Sequence, residues 1–414
     1  MNIKDYRNDE ITGATAAALE AYETALSAFQ RWRCGVDMPL ARATALAPRF
    51  AMAHVLDAYR FLMSRDPVVV ARARTARSTL MGLEMNRRER LHAEAIGAAV
   101  EDDYEAAKAR LDALLDEFPR DVLALQAGHA FDYATGDEAR MADRVASVLP
   151  AWSPSAPGYS AVLAMYAFSL VESGDYRAAE RMARSVLARD PDDGRARHAL
   201  AHVHEMTSRY GEGIGTLRES VESWSRGTVV ATHCWWHLAL FHLALGDSLT
   251  ALSIYDGSLR ARRSLEVADL IDASALLWRL ELEGADVGGR WTELSAAWAS
   301  HIEDGFCSFN DIHAMLAFVG AHDEARARGL EKELVRRSEL PTRHGETTRL
   351  VGLAACRGIM AHGRGDHREA VDLLGRLPFC VQRIGGSHAQ RDVVYLTLMQ
   401  SLDRLRRPAM KVAA

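Results

Sequence analysis

Apolar residues recur along this chain at three- and four-residue intervals, and no stretch settles into the apolar/polar alternation of a half-buried strand. The spans 161–173, 231–245 and 270–283 run without Gly or Pro and predict helices. The span 387–405 predicts a last helix covering the end of the chain. The turns between such spans repeat. Gly174-Asp175 is followed by Ala179, Gly246-Asp247 by Ala251 and Gly365-Asp366 by Ala370, with Asp102-Asp103 and Ala107 as a variant. Gly can take the left-handed backbone that ends one helix, Asp can cap the free amides of the next, and Ala lets the two helices approach.

Further breaks at Gly136, Gly284 and Gly320 fill in the series, which from Asp102 to Gly320 has spacings of 34 to 38 residues, with 72 residues between Gly174 and Gly246 as a double interval. Pro119 and Pro191 each fall twelve residues after the repeat's Ala, where a proline closes the second helix. Two helices per period of this length are the mark of a tetratricopeptide-like repeat. The chain is therefore expected to be all-α, a tetratricopeptide-like α-solenoid of about ten helix pairs that curls around a central cavity. It reads as a single continuous domain over 1–414, with flexible polar ends at 1–10 and 407–414.

Composition narrows the function. Lys and Arg number 50 against 56 Asp and Glu, a formal charge of -6, so no global basic field exists to hold nucleic acid. No apolar run reaches the length of a membrane span, and Met1 to Glu10 does not read as a signal peptide, which predicts a cytoplasmic protein without membrane association. Cys34, Cys234, Cys307, Cys356 and Cys380 are odd in number, scattered and never spaced as a thiolate zinc motif. Oligomeric state is not legible.

Four blocks carry a family resemblance: His198-Ala-Leu-Ala-His202-Val-His204-Glu205-Met206, His233-Cys-Trp-Trp-His237-Leu-Ala-Leu-Phe-His242-Leu, Phe309-Asn-Asp-Ile-His313-Ala-Met, and Gln382-Arg-Ile-Gly-Gly-Ser-His388-Ala-Gln-Arg-Asp392. Together, and from Thr12-Gly-Ala-Thr15 onward, the chain resembles the tetratricopeptide repeat protein 38 family. The resemblance implies a helical solenoid and no particular reaction. An apolar residue is usual where His204 stands, so a role for His204 would be peculiar to this chain.

In such a stack the first helix of each pair lines the concave surface. His198, His202 and Glu205 share one face of a first helix at i, i+4 and i+7, and His233 and His237 repeat the spacing on the next. Later first helices carry Asp272, then Asp311 and His313, then His388, Gln390, Arg391 and Asp392. Trp236 is a candidate cavity wall; the other tryptophans read as core. The first reading is a binding protein for a small organic molecule or short peptide, with His198, Glu205, His233, Trp236, Asp272, His313, Gln390, Arg391 and Asp392 as lining. An enzyme would use His202, His237, Asp311 and His388 as its acids and bases, gathered in one cavity. A third reading is a scaffold for other proteins. No cofactor or metal is assigned, and the alternative is a divalent metal on His198, His202, His233 and His237, since imidazoles at i and i+4 chelate from one helix turn.

Overall fold

The computed structural model describes residues 3–64 and 66–406; the tail 407–414 lies outside them. The protein is an all-α, tetratricopeptide-like solenoid that packs as two compact units, Met1–His237 and Leu238–Ala414. The first unit contains α1 (Ala16–Gln30), α2 (Asp37–Leu46), α3 (Ala51–Leu62), α4 (Pro67–Met81), α5 (Arg87–Val100), α6 (Tyr104–Glu117) and α7 (Val122–Thr135). It continues through α8 (Glu138–Val148), α9 (Tyr159–Glu172), α10 (Tyr176–Leu187), α11 (Gly194–Met206), α12 (Tyr210–Arg218) and α13 (Val221–Ser225) to the start of α14 (Ala231–Ala244), within which the division falls. The second unit holds α15 (Ser248–Ile254), α16 (Val267–Leu282), α17 (Arg290–Trp298), α18 (Ser308–Gly320), α19 (Glu324–Ser338), α20 (Arg343–Thr347), α21 (Leu353–Gly363), α22 (His367–Leu374) and α23 (His388–Arg406). With the short α13 and α20 set aside, the described helices alternate along the chain as ten pairs and a final helix.

The repeated turns work as their residues require. Gly174, Gly246 and Gly365 have φ of 87°, 79° and 79°. Asp175, Asp247 and Asp366 then accept from the backbone N–H of Ala178, Thr250 and Glu369. The variant keeps the mechanics with Asp102 in the left-handed position and Asp103 as cap. One break is displaced: Gly320 ends α18 and the left-handed residue is His322, before the capping Asp323. Gly320 is needed there for room, since a Cβ on it would lie 2.4 Å from the Trp291 ring.

From Ile3 onward, the N-terminal segment expected to be flexible is held instead. Ile3–Lys4 and Glu10–Ile11 pair antiparallel, and between them Asp5 and Arg7 are buried. Arg88 on α5 reaches Asp5 at 3.0 Å and Asp9 at 3.2 Å, so a polar segment is anchored by charge it could not leave unpaired.

Within the first unit the first helices form the buried layer: α3 meets α5, α7 meets α9, and α9 meets α11. Leu170 and Val171 of α9 pack with Val203 of α11 and Ala179 of α10. Every residue of α11 from Gly194 to His204 is buried, so its polar side chains are sealed among neighbouring helices. The exit of α1 is tied to the same region, because Arg195 Nη1 donates to the Gln30 carbonyl at 3.1 Å and Val229 N donates to the Trp32 carbonyl at 2.9 Å. In the second unit the tryptophans are core, as expected, and their indole N–H groups are satisfied. Trp278 donates to Thr397 and Trp298 to Ser274, at 2.8 and 2.9 Å.

Candidate functional site

Helix α11 starts cleanly. Asp193 caps it by accepting from Ala196 N, which sets the phase that turns His198 and His202 to one face. Helix α14 presents His233 and His237 to the same point. One nitrogen from each of the four imidazoles lies within 4.8 Å of the others. His198 Nε2 and His202 Nε2 are 2.9 Å apart, and His202 Nε2 and His237 Nε2 are 3.2 Å apart.

Protons alone do not account for that row. Glu205 Oε2 lies 2.7 Å from His237 Nδ1, which places the ring proton of a neutral His237 on Nδ1 and its lone pair on Nε2. His202 Nε2 then has a single site to offer two nitrogen neighbours, so one of the contacts has no proton to bridge it. A cation at the centre would satisfy all of them. A metal bound by imidazoles at about 2.0–2.1 Å in a tetrahedron sets neighbouring nitrogens about 3.4 Å apart, close to the spacing of the row.

The surroundings favour a neutral ring at His198. Burial, then the proximity of His202, His233, His237 and Arg195, push His198 well below the ordinary imidazole range. Phe168 stacks on His198 with ring centroids 5.3 Å apart, and Trp236 stacks on His233 at 5.0 Å. Behind the rings stand carboxylates: Glu205 at His237, and Glu172 Oε1 4.0 Å from His202 Nδ1. This carboxylate–imidazole arrangement orients metal-binding histidines and raises their basicity. His198, His202 and His237 are buried, whereas His233 is half-buried and forms the outer edge.

The structure thus gathers His198, His202, Glu205, His233, Trp236 and His237 in the first unit. His204 turns the other way, its Nε2 3.2 Å from Thr216 Oγ1. The remaining candidates stand on helices of the second unit, several in local roles. His313 Nδ1 donates to the Phe309 carbonyl at 2.7 Å, one turn back on its own helix. Gln390 Oε1 accepts from Ser387 N while Ser387 Oγ accepts from Gln390 N, a reciprocal cap at the start of α23. Arg391 donates to the Gly386 carbonyl, and Asp392 pairs with Arg279. Each of His313, Gln390, Arg391 and Asp392, read from the sequence as lining groups, thus makes a contact that holds the second unit together. Asp272 is buried on α16, and His388 is the first residue of α23. Asp311 is buried on α18, and burial, opposed by Arg337 and reinforced by Asp304 and Glu333, raises its carboxyl to about 7.

Three residues around the cluster escaped the sequence reading. Glu172 gives no sign of its partner, being thirty residues from His202 on another helix. Trp32 belongs to a loop after α1, and its ring reaches within 5.5 Å of His198 only through tertiary closure. Arg195 was legible in principle, because it lies three residues before His198 and so on the same face.

Residues 160–221, which span α9 to α12 and include the site-bearing α11, match the tetratricopeptide repeat family. Among solved structures the chain is similar to the tetratricopeptide-repeat domain of P58(IPK), with 14% identity over 78% of this chain and 89% of that one, at a TM-score of 0.22. No helix among the described residues is long and apolar enough to cross a membrane. The chain is a tetratricopeptide-like helical-repeat protein.

Proposed function

We propose that this helical-repeat protein is a metalloprotein that holds a divalent transition-metal ion on His198, His202, His233 and His237. The observation that carries the reading is the convergence of four imidazole nitrogens within 4.8 Å, from two i, i+4 pairs on α11 and α14. Imidazole sets suit Zn, Cu, Fe and Ni, and the choice among them follows geometry and supply. An organic ligand at this point would need a cavity of about 300 Å³ or more. The rings here pack against one another with centroids 4.4 to 6.2 Å apart, room for an ion between them, so that any organic ligand would stand outside the four rings at the His233 edge. The small-molecule reading is therefore narrowed to an ion first, with any organic partner reached through it. A scaffold role would use other surfaces, since these groups are withdrawn from contact with a protein partner. The finer membership in the tetratricopeptide repeat protein 38 family rests on the four sequence blocks, two of which supply the four histidines.

The test is metal analysis of full-length protein purified without chelator or affinity-tag metal, together with titration of the metal-free protein with Zn²⁺ or Co²⁺. About one equivalent is expected, lost in His202→Ala. Metal-free protein that takes up neither ion would sink the reading.

A further inference from the structure

Buried guanidinium groups in the first unit find carboxylates or, in Arg197, two carbonyls, those of Pro191 and Thr216 at 2.9 and 3.1 Å. Arg7 meets Glu23 at 2.5 Å, Arg88 meets Asp5 at 3.0 Å, and Arg144 meets Asp132 at 2.7 Å. Arg195 is an exception. It is 6% exposed, and its contacts are the Gln30 carbonyl and the face of Trp32, with Cζ 4.5 Å from the ring centroid. Among the described residues no carboxylate lies within ion-pair distance of it; Asp193, near enough to act through space, is engaged in capping α11. A guanidinium has five N–H donors in a planar fork that matches a carboxylate, and one carbonyl leaves most of that fork unused. Burial lowers Arg195 to about 10, with Asp193 opposing, so it keeps its charge at neutral pH.

Its place gives this charge a use. Arg195 precedes His198 by three residues on α11, so both point from one face, and the Trp32 ring packs on both. Trp32 has φ of 53°, a left-handed backbone that a bulky side chain adopts only when its surroundings impose it. Hydrogen bonds on either side impose it here: Val229 N to the Trp32 carbonyl, and Cys34 N to the Gly227 carbonyl, both at 2.9 Å. The chain thus clamps a strained tryptophan against the segment that leads into α14. Strain retained in this way clusters at ligand sites. Trp32 and His233 are both half-buried, and the ring of each lies within 5.5 Å of His198.

We infer that the metal centre takes a small carboxylate as its exchangeable ligand, one oxygen toward the ion beside His233 and the other toward the Arg195 fork beneath Trp32. This rests on the metal reading above and names the class of molecule that reading would serve. A fixed cation and a metal ion flanking one half-open edge favour an anion over a neutral molecule of the same shape. The carboxylate oxygen would take the position of the half-buried His233 or expand the ion to five-coordinate, as zinc sites sometimes do, and the three buried histidines would stay in place.

The experiment uses full-length protein loaded with Co²⁺, whose visible absorption reports its coordination, titrated with sodium acetate and separately with neutral acetamide. Acetate should shift and weaken the band in a saturable way, and acetamide should leave it unchanged. Arg195→Met should bind Co²⁺ within about threefold of wild type and lose about tenfold or more in acetate affinity, with Arg195→Lys in between. A cobalt band that ignores acetate, or an Arg195→Met protein with wild-type acetate affinity, would overturn the inference and leave the metal site standing. Should Arg195→Met fail to fold, the wild-type and Arg195→Lys titrations decide alone. Absence of any cobalt band would overturn the metal reading and this inference with it.

Discussion

His92 and His202 are both fully buried on first helices of the same unit, and the proposed metal site makes them opposite kinds of residue. His92 Nε2 meets Asp121 Oδ2 at 2.9 Å and its Nδ1 meets the Tyr59 hydroxyl at 3.1 Å, while Arg88 stands 3.5 Å from the same Asp121. Each ring nitrogen has a protein partner of the complementary kind. His202 directs Nε2 at two other imidazole nitrogens. The difference teaches how to separate a structural histidine from a ligand. Burial and helical position are shared, and what distinguishes the two is whether the partners can be satisfied by protons alone.

The strongest way to break this comparison is to exchange the phenotypes. His202→Ala should abolish metal binding while the metal-free protein stays folded. His92→Ala should keep the metal and lose about 3 kcal/mol of stability, because it takes one partner from a buried Asp121 and opens a cavity. Metal titration and urea unfolding of both variants check this. Metal loss in His92→Ala at full stability would invert the assignment.

A second measurement sharpens it. If Glu205 orients His237 as a ligand, Glu205→Gln should weaken metal binding about 10- to 100-fold, short of the loss in His202→Ala. Competition with a metal-sensitive dye would resolve the grades. Equal affinity in Glu205→Gln and wild type would mean that the 2.7 Å contact is a packing detail.

The fold was readable because its signals are local. A left-handed Gly and a capping Asp act within six residues, and the period follows from counting them. The two histidine pairs were readable for the same reason, since i and i+4 share a face whatever surrounds the helix. What was hidden depends on packing. Glu172 and Trp32 reach the histidines only across helices. The capping contact of Gln390, the Gly386 carbonyl that Arg391 meets and the pairing of Asp392 with Arg279 were hidden too, because a sequence does not show partners across a turn or between helices. The misplaced break at Gly320 has the same origin: its glycine serves the Trp291 ring, and the turn is made by His322.

The smallest expected effect tests whether His92 is locked in its charge network. Burial alone would raise the Asp121 carboxyl, but the charges of His92 and Arg88, with hydrogen bonds from His92 and Ala124 N, hold it well below the ordinary carboxylate range. A carboxylate with a depressed native pKa stabilises the fold above its unfolded value of about 3.9, and that contribution is lost as the pH falls toward the native value. Between pH 4 and 3 the unfolded chain takes up this proton and the folded chain does not. Wild type should therefore lose about 1 kcal/mol more than Asp121→Asn across that interval, whatever their difference at neutral pH. Urea midpoints at the two pH values for both proteins supply the measurement. Parallel losses would show that Asp121 titrates normally, and His92 would then be a buried histidine with neighbours rather than one fixed by an ion network.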